Sequence, residues 1–448
     1  MLVTEKRAAF SLSLVYAFRM LGLFMILPVF SLYADDFAGA TPILTGLAIG
    51  IYGLTQGLFQ LPFGFLSDRF GRKKIIIIGL LIFAVGSVVA AEADSIYEII
   101  GGRALQGLGA IAAAVMALAA DLTREEIRLR VMAFIGMSIG LSFMVSMVMG
   151  PFLAARYGLP ILFWITAGLA LAGIAVVVFI TPQPRSQGFH RDTQLSTGDV
   201  GQILRDPELL RLDLGIFVLH LVLSATFVVF PLVLRDSLLV DEALHWKTYL
   251  PVFALSVVGM VPLIIVTEKF RKVKSMFLLG IAIVLIAELG LAGANTYAWA
   301  FAMLVLFFTG FNFLEASLPS MVARIAPADM KGTAMGLFSS AQFLGAFCGG
   351  VIGGLLLTSP SYSIGFLVLA GLLLSWWLVA MFMKTPQRVA SRVVSLKDME
   401  EEAVELFLKQ ASLIKGVQEV SVYTEDRVAY LKVEKPFDEQ ALKALLSS

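Results

Sequence analysis

Long apolar runs recur along the chain, each closed by a cluster of charged or turn-forming residues. Leu159 to Ile180 holds no Asp, Glu, Lys or Arg. Neither does Leu289 to Phe313, which must contain a turn. A buried core helix of a soluble protein can imitate one such run, but not a dozen. Hydropathy and breakers give twelve helical spans, at about 8–33, 41–67, 74–91, 95–121, 129–154, 160–182, 209–235, 246–268, 275–293, 296–321, 330–357 and 361–384. Pro182 to Pro207 is polar and reads as a linker between the sixth and seventh. The pattern predicts an all-α membrane body in two six-helix halves, 1–182 and 209–387, joined by a linker over 183–208.

After Lys384 the pattern changes. Residues 388–448 are charged and mixed, as in a soluble domain. Arg392 to Leu396 suggests a strand. Asp398 to Ile414 suggests an amphipathic helix with Ala403, Val404, Phe407, Leu408, Ala411 and Ile414 on one face. Val417 to Tyr423 and Arg427 to Val433 alternate around Thr424-Glu425-Asp426, as a hairpin does. Asp438 to Leu446 suggests a second helix. The order β-α-β-β-α predicts a small ferredoxin-like α+β domain. With neither Cys nor His, this tail does not suit soft-metal binding. Its expected role is stability, self-association or regulation.

Composition agrees with a membrane body. Of 448 residues, 58% are hydrophobic and only 15% charged, too few to clothe a water-facing surface. The net charge of +1 offers no argument for nucleic acid or an acidic partner. The one cysteine, Cys348, excludes a disulfide within the chain. His190, His220 and His245 lie far apart, so no metal or other cofactor is expected. No nucleotide loop or nucleophile motif is present, and an enzyme is not expected. Lys6 and Arg7 precede an apolar run without a small-residue cleavage site, which reads as a first span and not a removed signal.

Charge placement orients the chain. Arg69, Arg72, Lys73 and Lys74 follow span two, and Arg124, Arg128 and Arg130 follow span four. The linker holds Arg185, Arg191 and Arg205; Lys269, Arg271, Lys272 and Lys274 follow span eight, and Lys331 follows span ten. The alternate loops hold only Arg156, Arg235 and Lys247. The excess of bases on one side places both termini in the cytoplasm, which an even span count requires. The halves also look duplicated. Asp68 to Lys74 corresponds to Glu268 to Lys274, and Arg128 to Ala133 to Lys331 to Gly336, at nearly one offset.

Gly64-Phe65-Leu66-Ser67-Asp68-Arg69-Phe70-Gly71-Arg72-Lys73-Lys74 carries more than topology. Gly64 permits close helix packing, Gly71 a positive φ, and the bases suit anionic headgroups. A topogenic basic loop does not explain Asp68, an acid that gains charge-assisted bonds among arginines or at a helix N-terminus. This stretch resembles the signature loop of the major facilitator superfamily. The resemblance implies a gating latch, in which Asp68 meets the start of span eleven near Met330–Thr333 and the loop arginine meets Asp121.

Span four holds Arg103-Ala104-Leu105-Gln106-Gly107-Leu108-Gly109, similar to the superfamily's Arg…Gln-Gly-x-Gly motif. An arginine so deep in a membrane is costly and usually functional, although its stem allows snorkelling. Leu21 to Val29, including Pro28, resembles part of the span-one motif of drug:proton antiporters, with Ser31 where that family closes on Pro. Span five has Gly150-Pro151, with Gly136 and Gly140 upstream. The antiporter motif is incomplete there: Ala154-Ala155, Ser146 and Met137 stand at its glycine positions. The architecture with its tail resembles the YajR-type subgroup of bacterial inner-membrane transporters.

Ionisable residues inside the spans are Arg19, Arg103, His220, Glu288 and Glu315. The resemblance implies that spans one, four, seven and ten line a central cavity, which holds all but Glu288 of span nine. Glu315 and His220 are the candidate proton carriers, with Arg19 or Arg103 as a permanent cation and Gln106 beside them. The leading reading is proton-coupled export of amphipathic small molecules by alternating access, powered by the proton gradient. Alternatives are a facilitator or symporter for a polar nutrient, and a membrane sensor that no longer transports.

The orientation is directly testable. Asp36→Cys in a Cys348→Ala background will react with an impermeant thiol reagent added outside intact cells, and Arg191→Cys will not. Reversed labelling would overturn the charge-based assignment.

Overall fold

The computed structural model describes all residues except 184–196, 328–329, 385–388, 397–405, 409, 424–427, 435–436 and 448. It contains twelve helical spans: Val3–Phe24, Pro42–Phe70, Arg72–Ala91, Ile96–Asp121, Arg130–Tyr157, Pro160–Ile180, Pro207–Ser237, Glu242–Phe270, Val273–Ala292, Tyr297–Ile325, Lys331–Leu356 and Tyr362–Met381. They are numbered here one to twelve. Helices dominate because a backbone crossing hydrocarbon must satisfy its own hydrogen bonds.

Two spans are broken where their motifs lie. The helix of span one stops at Phe24, ahead of a turn that contains Pro28, and a short helix resumes at Phe30–Tyr33. Span four consists of Ile96–Leu108 and Ala112–Asp121, interrupted at Gly109. The linker is not wholly irregular, because Thr197–Ile203 is helical.

The bundle has a face rich in bases, where Arg7, Arg72, Lys73 and Arg324 lie, and an opposite face. On the basic face the guanidinium of Arg7 donates to the carbonyls of Phe179 and Ile180, and Lys73 Nζ to Thr181 O at 2.6 Å. Arg124 pairs with Glu5, tying the loop after span four to the start of span one.

The halves meet along spans two and eleven. A Cβ built at Gly350 would fall 2.6 Å from the Gly46 carbonyl oxygen, and one at Gly50 2.6 Å from that of Phe347. Ser340 Oγ donates to Gly57 O at 3.1 Å further along the same seam. Backbones this close require residues without side-chain bulk. Phe143 of span five packs on Phe253 of span eight, ring centroids 5.5 Å apart, and on Phe308 and Phe311 of span ten. On the opposite face Phe152 meets Trp246 edge to face, and Arg235 Nη1 donates to Leu32 O at 3.5 Å. These contacts close the bundle from its middle to the opposite face.

The tail corrects the expectation of a ferredoxin-like domain. Strands β1 (Val389–Ser395), β2 (Val417–Tyr423) and β3 (Val428–Glu434) form one antiparallel sheet of order β1-β3-β2. A ferredoxin-like sheet needs a fourth strand, and among the described residues there is none. The element order supplies only three strands before the closing helix Glu439–Ser447. The expected helix over 398–414 and the turn at 424–426 lie largely outside the described residues. Of its predicted apolar face, Phe407 and Ala411 are buried with Leu396, Ala429, Leu431, Val433 and Leu442, whereas Leu408 is exposed.

The glycine seam gives a stability prediction. Gly350→Val will push a side chain into the backbone of span two and destabilise the protein by about 1–3 kcal/mol, as overpacking does. Gly168→Ala, at a position with open space around a built Cβ, will not destabilise it. Thermal unfolding of the purified protein in detergent checks both.

Candidate functional site

The signature loop forms where span two ends. Ser67 Oγ donates to Gly64 O at 2.7 Å, and Gly71 turns the chain into span three with φ 99°. That angle suits glycine because a Cβ would clash there. Arg72, at the start of span three, is buried. Its guanidinium pairs with Asp68, donates to Ser67 Oγ at 2.8 Å, and reaches Asp121 Oδ2 at 3.2 Å. The structure therefore brings Arg72 and Asp121 together, but Asp68 turns to Arg72 and not to the start of span eleven. Arg69 lies over the ring of its neighbour Phe70 at 5.5 Å, and Lys73 caps span six as above. Asp121 is almost fully buried with Arg72 as its ionic partner.

In the middle of the first half lies a cationic cluster. Arg19 and Arg103 are both fully buried. Arg19 Nη2 donates to Gln56 Oε1 and to Tyr52 Oη at 3.2 Å, and its guanidinium stands 5.6 Å from the Phe83 ring centroid. Its Nε and Nη1 are buried without a hydrogen-bond partner. Gln56 Nε2 donates in turn to Gln60 Oε1 at 2.9 Å. Arg103 does not snorkel. It donates to Gln106 Oε1 at 2.8 Å and to the Ala48 and Ile49 carbonyls, with its guanidinium 5.1 Å from the Tyr52 ring centroid. Gln106 Nε2 donates to Ser87 Oγ at 2.8 Å. Gly107 and Gly109 allow this: a Cβ on either would strike the backbone of span two or span three.

The second half carries a different cluster. Gln342 Nε2 lies 2.8 Å from His220 Nε2 and 3.1 Å from Glu315 Oε1. His220 Nδ1 lies 3.3 Å from Ile216 O. One assignment is consistent with all three contacts. The amide donates one hydrogen to Glu315 and one to His220 Nε2, and a neutral imidazole donates from Nδ1 to Ile216. Glu315 Oε2 has no hydrogen bond and lies 3.7 Å from His220 Nε2, where attraction depends on a proton on that nitrogen. Glu288 is separate: fully buried, it accepts from Thr226 Oγ1 at 2.8 Å, and its other oxygen has no partner.

Around Pro28, Gly150 and Pro151 the close packing comes from a different set than the upstream glycines. Ser142 Oγ donates to Ala17 O at 3.2 Å and Ser146 Oγ to Leu21 O at 3.0 Å, and Gly150 abuts the Met25 carbonyl. Nothing lies within 4 Å of a Cβ built at Gly136 or Gly140. Pro151 is inside the span-five helix. Sequence reasoning missed Tyr52, Gln56, Gln60 and Gln342. The first three were legible as one face of span two, at spacings of four. Gln342 carried no such signal, because it joins the cluster from span eleven.

Comparison with known proteins agrees with this architecture. The family model of the Major Facilitator Superfamily matches residues 12–313 and 212–446. The chain is 44% identical over 435 residues to "Inner membrane transport protein YajR" of Escherichia coli (strain K12), covering 96% of this chain and 94% of that protein. It is 28% identical over 340 residues to "Multidrug resistance protein MdtH" of Aeromonas salmonicida (strain A449), covering 75% of this chain and 84% of that one. The crystal structure of a D-xylose–proton symporter superposes with TM-score 0.72 at 15% identity, covering 86% of this chain and 99% of that one.

The Arg72 pairs separate by burial. Arg72→Ala leaves the carboxylate of Asp121 buried without its cation and will cost on the order of 3–5 kcal/mol. Asp68→Asn removes the more exposed partner and will cost less than about 1 kcal/mol. Thermal unfolding in detergent measures the difference; equal losses would contradict it.

Proposed function

Because the chain belongs to the major facilitator superfamily, and so is a multi-pass membrane transporter, we propose that it couples protons to the export of amphipathic small molecules by alternating access. The observation that carries the coupling is the His220–Gln342–Glu315 cluster, which has two consistent bonding patterns differing by one proton. In the first, His220 is neutral and Gln342 donates to both neighbours. A proton on His220 Nε2 displaces the amide hydrogen facing it. Gln342 then turns its oxygen toward the ring and gives up its bond to Glu315, whose carboxylate is left to the imidazolium across the 3.7 Å gap. Spans seven, ten and eleven each contribute one member, so the proton shifts bonds between helices, as a coupling device must.

The basic face is cytoplasmic in this reading, and the halves are held together on the opposite face. The Asp68–Arg72–Asp121 group belongs to a latch on the cytoplasmic side. Closing it requires Asp68 to exchange Arg72 for the start of span eleven. Export finds support in the partial antiporter motifs of spans one and five and in the similarity to a multidrug resistance protein; the similarity to an inner membrane transport protein supports a bacterial inner-membrane location. The tail serves regulation or self-association.

The test uses purified protein in lipid vesicles, with ethidium and fluorescein as amphipathic probes of opposite charge. Wild type will move at least one of them faster under an imposed pH gradient, with proton flow in the opposite direction. Glu315→Gln will abolish that proton flow. Equal rates with and without the gradient would favour a facilitator, and no movement of any probe a sensor. Unchanged proton flow in both Glu315→Gln and His220→Gln would remove the cluster as the carrier.

A further inference from the structure

The cationic cluster of the first half lacks its anion. Arg19 and Arg103 flank Tyr52, one at the hydroxyl and the other over the ring. Both are fully buried, and neither meets a carboxylate; their partners are amides, a phenol, carbonyls and aromatic rings. Arginine does not shed its proton, so two positive charges stay in the membrane interior. A buried charge left without a counter-ion is strongly unfavourable. The shortfall is local: Nε and Nη1 of Arg19 are sealed from solvent with nothing to donate to. These two nitrogens point to different edges of the guanidinium, so each offers a separate donor to an anionic oxygen.

The cover over this site comes from the other half. Phe343 of span eleven packs edge to face on Tyr52, centroids 6.4 Å apart. Movement of span eleven against span two would uncover Tyr52 and open a path to Arg19. The Gln56–Gln60 amides continue the polar row along span two.

We propose that Arg19 is an anion-binding residue, and that the amphipathic molecule carried by this protein presents a carboxylate or another anionic group to its unpartnered donors, beside Tyr52 and Gln56. Arg103 adds to the attraction and holds Tyr52 in place. The inference rests on the transporter reading for its physiological sense, but binding is measurable without transport.

The probe is benzoate, compared with benzamide, which has the same shape without charge, and with benzamidine, a cation. Thermal unfolding of the full chain in detergent is followed at rising concentrations of each at constant ionic strength. Benzoate will raise the midpoint of wild type by about 2 °C or more at saturation, and the other two will not. Arg19→Gln will lose the response, and Arg19→Lys, which keeps the charge, will retain part of it. Gln56→Glu supplies a carboxylate from within. It will raise the midpoint without any ligand and abolish the benzoate response, a result that does not depend on Arg19 variants folding. A benzamide shift equal to that of benzoate, or a benzoate shift that survives both Arg19→Gln and Gln56→Glu, would overturn the assignment. Proton-coupled transport with no benzoate binding would remove this site alone. Benzoate binding without proton coupling would instead remove the function proposed above.

Discussion

The contact of span two with span eleven sets the terms for the rest of this molecule. At Gly46, Gly50 and Gly350 the two backbones touch with no side chain between them. Attraction between apolar surfaces offers little to helices already in hydrocarbon, so close backbone approach and van der Waals fit must hold the halves together. A seam of this kind is narrow. It joins the halves along one line, the aromatic contacts of span five with spans eight and ten make a second, and the surfaces between are left to other uses.

Those surfaces are chemically unlike, although the halves share one plan. The first half presents two guanidiniums that never lose their charge, and the second an imidazole and a carboxyl, groups that can exchange a proton. Fixed charge suits recognition, and titratable groups suit energy coupling. In the proposed function the ionisable residues at the centre of the two halves divide the work in that way. The seam separates them, with Phe343 from one half resting on Tyr52 of the other.

Much of this was written plainly in the sequence. The spans were legible because hydrocarbon tolerates few charges, and the Arg72–Asp121 pair because the family resemblance of the loop implied both partners. The breaks at Pro28 and Gly109 were not, since the same glycines and prolines occur in unbroken helices such as span five. Asp68 bonds within its own turn in this structure, and no local pattern distinguishes that from a bond to span eleven, a choice made by the relative position of the halves. Gln342 escaped notice because a neutral amide raises no electrostatic flag until its neighbours are known. In the tail, alternation located three strands well. Five elements in the order β-α-β-β-α leave a ferredoxin-like sheet one strand short, and the described residues hold no fourth strand.

The carbonyls that end span six receive hydrogen bonds from Arg7 of span one and Lys73 of span three. Bases at a helix C-terminus satisfy carbonyls that no further turn will meet, and they complement its dipole. These two residues also belong to the positive bias by which a chain like this is oriented during insertion. One set of charges thus serves first as an address and later as a fastening. Moving them to the other side would not give the same protein upside down. It would give a bundle whose sixth helix is uncapped where the linker departs, so the direction of insertion and the integrity of the fold have become a single inherited trait.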